Sequence, residues 1–241
     1  GSLIILKEMK RKQRTSVIID VETSGLPERR RGPGYPSIKT DLQSYNGSRI
    51  VQLAWIIVKE RGGEKEAELA KKSHIIKPVG FEISKETVII HGISTERATE
   101  EGVEIGCVLK EFMEDINNFE VTHIVAHNLE FDKHVLAAEV WRLQLQDVSL
   151  EDKNAMVFLY NKLIEETASN KLKEVCTMEV GREYAKIPLP SNPRKYKAPK
   201  LAELHKTFTG RVMREKHDAL YDTEKCLECY LYMRKMVCVI K

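Results

Sequence analysis

The chain has 241 residues, of which 42% are apolar and 31% charged, with a formal net charge of +3. This length suits one large α/β domain with a substantial core, and no apolar run approaches the ~20 residues needed to cross a bilayer, which excludes a membrane role of that kind. The basic stretch Lys7 to Arg14 follows the short apolar run Leu3 to Leu6 instead of preceding it, the wrong order for a secretory signal, so the expected location is intracellular, in cytoplasm or nucleus.

Residues 1–15 are read as a basic tail and 16–241 as a single domain. Ser16-Val-Ile-Ile-Asp20 is a β-branched run suited to a central strand. Residues 27–48 are rich in Pro, Gly, Arg and Ser, with no apolar periodicity, and form a long basic loop of the kind that is usually functional or disordered. Ile50 to Lys59 predicts a second strand, Gly62-Gly63 with a charged stretch a turn, and Ser73 to Lys77 a third strand. Glu104 to Phe119 has the apolar spacing of a helix. A strand is expected over Val121 to Ala126 and a helix over Phe131 to Leu145. Ser149 and Asp152 open a further helix through Glu166, read as an insertion (149–166). Glu174 to Met178 is read as a short strand, Leu201 to Phe208 as a helix, and Ala219 to Val237 as a long closing helix.

The five cysteines, an odd number without a secretory signal, fit reduced and mostly buried thiols. Cys226-Leu-Glu-Cys229 lies within the closing helical pattern and lacks a second ligand pair, so its spacing is assigned to core packing. Basic residues cluster at Lys7 to Arg14, at Arg29, Arg30 and Arg31, and at Arg194, Lys195, Lys197 and Lys200. Such clusters on a charge-balanced chain are compatible with a phosphate-backbone partner.

Three blocks carry the chemistry. In Asp20-Val-Glu22-Thr23 strand alternation puts both acids on one face, ~7 Å apart, where they repel unless a cation lies between them. Hard oxygen ligands of this kind suit Mg²⁺ or Mn²⁺. In Ala126-His-Asn-Leu-Glu-Phe-Asp132, Asn128 is the expected helix N-cap, and Asp132 shares a helical face with Leu136, Val140 and Leu143. An inward carboxylate there needs a cation or a proton. In His217-Asp-Ala-Leu-Tyr-Asp222-Thr223, positions five apart differ by about 140° on a helix. His217 is therefore placed in the preceding loop and Asp218 at the N-cap. Asp222 then heads the stripe of Cys226, Cys229 and Met233.

Taken in order, Asp20-x-Glu22-Thr23-x-Gly25-Leu26-Pro27, His127-Asn128-x-x-Phe131-Asp132 and His217-Asp218-Ala219-x-x-Asp222-Thr223 resemble the DEDDh, or DnaQ-like, exonuclease family. That family includes the proofreading subunit of bacterial DNA polymerase. Arg49-Ile-Val-Gln-Leu53, His91-Gly-Ile-Ser94 and Lys200-Leu-Ala-Glu-Leu204 are secondary matches. The resemblance implies a ribonuclease-H-like α/β fold, with a mixed sheet of about five strands flanked by helices. It also implies 3′–5′ hydrolysis of a nucleic acid with a free 3′ end; the motifs do not choose the sugar, and DNA is the first expectation over RNA, in proofreading, replication or repair beside a polymerase or repair complex. Asp20, Glu22 and Asp222 would hold one divalent cation, Asp20 and Asp132 a second, and His217 would be the general base. Thr23, Leu26, His127, Asn128 and Phe131 would meet substrate. The loop, through Arg29, Arg30 and Arg31 with Tyr35 and Tyr45, is expected to grip single-stranded nucleic acid. The alternatives are an RNA-trimming enzyme with the same site and, from a different class, a module that binds nucleic acid without cutting it.

Overall fold

A computed structural model describes residues 12–28, 34–214 and 217–239. The candidate contacts Arg29, Arg30 and Arg31, and most of the N-terminal basic cluster, lie outside the described residues. A five-stranded sheet runs in the order β3-β2-β1-β4-β5, with β1 at Gln13–Thr23, β2 at Ile50–Arg61, β3 at Glu64–Ile75, β4 at His123–Ala126 and β5 at Lys173–Cys176. The first three strands form an antiparallel meander, while β4 lies parallel to β1 and β5 parallel to β4. The mixed sheet expected from the motifs is therefore present.

β2 is buried along nearly its whole length, as a strand covered on both faces must be. β3 is the edge. Its Glu- and Lys-rich sequence reads as a charged turn, yet it pairs with β2 from Arg61↔Glu64 to Gln52↔Ile75. Charges belong on an exposed edge, where they discourage further strand pairing. The reversal is made by Gly62 and Gly63, both with positive φ. A Cβ at Gly63 would stand 2.5 Å from Leu231 O, so no side chain fits there.

Strand alternation divides β1 between two helical layers. Val17, Ile19 and Val21 join the larger core with Phe112, Leu136 and Val140, beneath α3 (Ile105–Asn118) and α4 (Leu129–Gln144). Ile18 faces Cys226, Leu227 and Tyr230 on α8 (Ala219–Val239). Cys226 and Cys229 are buried free thiols, as the packing interpretation of their spacing requires. Among the described residues, no helix is long and apolar enough to cross a membrane.

The remaining elements correct several sequence expectations. Two short helices, α1 (Lys85–His91) and α2 (Thr95–Glu101), follow β3, each with a serine N-cap accepting a backbone N–H. The strand expected to reach Met178 stops at Cys176, and Thr177 opens α6 (Thr177–Ala185). The expected helix from Ser149 consists of α5 (Leu150–Tyr160) continued by a wider π turn, Asn161–Glu166. A small hairpin, β6 (Pro188–Leu189) with β7 (Asn192–Tyr196), precedes α7 (Leu201–Thr209). Tyr45 is not available to stack on a base: it is fully buried and its hydroxyl donates to Pro36 O at 2.6 Å. Tyr35 stacks on His134, with ring centroids 4.7 Å apart.

Candidate active site

The four candidate carboxylates come from three elements that meet at the carboxyl end of β1. Asp20 and Glu22 have the parity of Ile18 and so face α8. Asp132 lies in the first turn of α4 and Asp222 in the first turn of α8. Asp132 and Asp222 are only 3% and 7% exposed, each heading the apolar stripe its helical spacing required. Asn128 does immediately precede α4, but it sits in the left-handed region at φ 77° and its side chain makes no capping bond. Asparagine tolerates that conformation better than most residues.

The start of α8 is held in place by its neighbours. Asp218 Oδ1 accepts the Tyr221 N–H at 3.0 Å, the N-cap role expected of it. The Gln52 amide on β2 donates to Asp218 Oδ2 at 3.3 Å and accepts the Ala219 N–H at 3.1 Å. Gln52 thereby orients the helical turn that carries Asp222. Its motif, Arg49-Ile-Val-Gln-Leu53, carries no visible role in the sequence, because a contact across 167 positions has no local signature. Asp132 Oδ1 accepts the Val21 N–H at 3.2 Å, which ties α4 to the strand between the first two acids. His217, in the loop, places Nδ1 3.2 Å from Asp222 Oδ2.

One possible ligand atom from each of Glu22, His217 and Asp222 lies within 4.8 Å of the others. Burial, then repulsion from Asp132, Glu22, Asp222 and Asp218, holds the Asp20 carboxyl well above the usual aspartate range. Asp132 is also raised, by burial and by Glu22, against the hydrogen bond from Val21. Burial pushes Glu22 up to about 7, with His217 opposing and Asp222 and Asp218 reinforcing. His217 is raised by its hydrogen bond to Asp222, while partial burial and Lys200 oppose. Among the described residues, no Lys or Arg pairs with any of the four carboxylates. Crowded, buried acids without a cationic side chain fit divalent metal ions with hard-oxygen preference.

The other expected contacts divide. Leu26 is 69% exposed, so it is not a core residue. Thr23 donates its hydroxyl to Gly25 O at 2.7 Å and shapes the turn below Leu26. A Cβ at Gly25 would meet Gly47 O at 2.7 Å, so that close approach of two loop segments requires glycine. Phe131 is partly buried against the main core. His127 has both ring nitrogens engaged by the protein, Nδ1 with Thr177 Oγ1 and Nε2 with Pro199 O, each at 3.0 Å. A carbonyl only accepts, so Nε2 carries the proton, and His127 links β4 to the segment before α7.

The RNase T exonuclease family model matches residues 17–230. No curated protein sequence matches the chain. Among solved structures, Escherichia coli Exonuclease I in complex with a dT13 oligonucleotide is similar with a TM-score of 0.59 at 18% identity, over 94% of this chain and 41% of that one. The zinc-ion-bound Exonuclease I–ssDNA complex gives 0.55 at 18%, over 94% and 40%. A 3′-exonuclease recognising the 3′ end of a histone mRNA stem-loop gives 0.61 at 14%, over 100% and 71%. The chain thus spans about two fifths of the length of Exonuclease I, and these likenesses support the ribonuclease-H-like fold. With the family model covering most of its length and all three motif blocks in place, the chain belongs to the RNase T exonuclease family, with the DEDDh set of residues.

Proposed function

We propose that the chain is a metal-dependent 3′–5′ exonuclease releasing nucleoside 5′-monophosphates, with single-stranded or mismatched DNA ends preferred. The observation that carries this reading is the convergence of Asp20, Glu22, Asp132 and Asp222, three of them pushed up by burial and mutual repulsion. Asp20, Glu22 and Asp222 would hold one Mg²⁺ or Mn²⁺, and Asp20 with Asp132 a second. Ions so held offset the repulsion among the acids, polarise the scissile phosphodiester and make water more acidic.

The chain's own groups supply the rest. With Nδ1–H donated to Asp222, the imidazole keeps Nε2 bare to accept a proton from the attacking water. The His217 side chain is 58% exposed, so that nitrogen can reach a substrate from the solvent side. Leu26, projecting into solvent, offers an apolar surface for the terminal base. An RNA-trimming role is the second reading, favoured by likeness to the histone mRNA 3′-exonuclease over the whole chain.

The test is digestion of 3′-labelled and 5′-labelled single strands, a mismatched duplex and RNA, in Mg²⁺, Mn²⁺ or EDTA. Mononucleotides should appear first from the 3′ label, fastest with DNA and not in EDTA. Activity that survives EDTA, or is undiminished in Asp20→Ala, rules out the metal-dependent mechanism.

A further inference from the structure

Between α6 and α7 the chain departs from the main sheet into the β6–β7 hairpin. Residues 186–202 hold Lys186, Arg194, Lys195, Lys197 and Lys200 and no Asp or Glu. That is more positive charge than the net +3 of the whole chain. Elsewhere basic residues are commonly matched, as where Lys71–Lys72 meet acids of α8 and α3. Lys186, Arg194, Lys195 and Lys200 are exposed and form no ion pair among the described residues.

The base of this arm is fixed. Lys197 N donates to Ile187 O at 2.9 Å, and its ammonium bridges to Glu203 at 2.7 and 2.8 Å. Pro199 is buried against Gly181, where an added Cβ would stand 3.2 Å from its ring. Pro199 O receives the His127 Nε2–H, so the arm is fastened to the end of β4, the parallel neighbour of β1, just before the α4 turn that carries Asp132. Pro188, Pro190, Pro193 and Pro199 stiffen it, which lowers the entropy lost on binding. Lys200 is close enough to oppose protonation of His217. From Lys200 back to Arg194 the extended chain reaches roughly 20 Å, enough to follow several phosphates.

We propose that residues 186–200 form a cationic guide for the single-stranded phosphodiester backbone 5′ of the scissile bond, with Lys200 nearest the acidic site and Arg194 and Lys195 farther along the strand. This rests on the exonuclease reading of the acidic site. Side-chain cations contacting phosphate carry no information about the sugar, so the guide serves DNA and RNA alike. Its contribution grows with strand length and falls with salt, because each neutralised phosphate releases counterions.

The test compares wild type with Arg194→Ala/Lys195→Ala. Binding of a fluorescein-labelled oligothymidylate is followed by anisotropy across a KCl series in Ca²⁺. Hydrolysis is followed on the same strand and on thymidine 5′-monophosphate p-nitrophenyl ester, which is too short to reach the arm. The slope of log K against log salt should fall by about 0.7 per lost phosphate contact. The ratio of kcat/KM on the strand to that on the ester should drop severalfold. Arg194→Lys/Lys195→Arg should restore both. An unchanged slope or an unchanged ratio overturns the guide. A wild-type chain that shows the arm-dependent slope but hydrolyses neither substrate would overturn the exonuclease reading and leave the guide standing.

Discussion

His217 Nδ1 stands 3.2 Å from Asp222 Oδ2, joining the loop before α8 to the first turn of that helix. The contact holds the imidazole at the acidic cluster and fixes which nitrogen is left bare. His217→Ala should therefore cost about 10²- to 10⁴-fold in kcat. Thermal stability should stay within about 1 kcal/mol, because the side chain is mostly exposed. The part of the acid limb of the kcat/KM profile that His217 contributes should also disappear. Steady-state kinetics across pH, with a melting curve on the same sample, checks all three.

Without metal the acidic cluster should make the fold less stable as pH rises. Folded Glu22 holds its proton up to about 7, against 4.5 for an ordinary glutamate. Between those values Glu22 binds more protons in the folded state than in the unfolded chain, so its contribution to stability is greatest below 4.5 and falls on the way to 7. For Glu22 the loss is on the order of 3 kcal/mol, and Asp20 and Asp132 act in the same direction. The buried neutral His123, His127 and His134 act in the opposite direction over part of this window, so the effect is read against Glu22→Gln. In EDTA the wild-type Tm minus the variant Tm should fall from pH 4.5 to 7, and Mg²⁺ or Mn²⁺ should raise the wild-type Tm at pH 7. A difference that rises from pH 4.5 to 7 without metal would contradict this.

How far the site could be read in advance follows from where its determinants lie. Asp20 and Glu22 share a face by strand alternation, and Asp132 and Asp222 head apolar stripes by helical spacing, so local periodicity gives each its orientation, while their assignment to one site rests on the family resemblance. The ribonuclease-H-like sheet followed from the motifs. β3 was obscured because its Glu and Lys residues look like a turn, whereas its pairing is set by β2. Tyr45 reads as a stacking residue in the sequence, whereas the core encloses it completely. Gln52 and the His127–Pro199 link act across long sequence separations, where no pattern announces them.

Arg49 makes a two-point ion pair with Glu139, Nε to Oε1 at 2.7 Å and Nη2 to Oε2 at 3.2 Å. Glu139 is 2% exposed and also accepts the Ile50 N–H. Arg49 in turn bonds through its backbone to Ser24, beside the acidic strand end. Glu139→Ala would leave a poorly solvated guanidinium and an orphaned N–H, costing about 3 kcal/mol. Urea unfolding should show a lower midpoint with m unchanged. A midpoint equal to wild type would mean the pair contributes nothing net.

Leu26→Ala separates substrate contact from packing. With 69% of its surface exposed, the leucine should contribute less than about 0.5 kcal/mol to stability, while its loss would remove the proposed apolar contact with the terminal base. KM for a single strand should rise severalfold with Tm unchanged. A large fall in Tm would show a packing role instead.

Metal stoichiometry bears most directly on the carboxylate cluster. Mn²⁺ binding, followed by electron paramagnetic resonance of the free ion and by calorimetry, should show two ions per chain. Asp20→Asn, which removes the acid shared by both proposed ions, should weaken both. One or no bound ion in the wild type, or two ions bound unchanged in Asp20→Asn, would contradict the two-ion assignment.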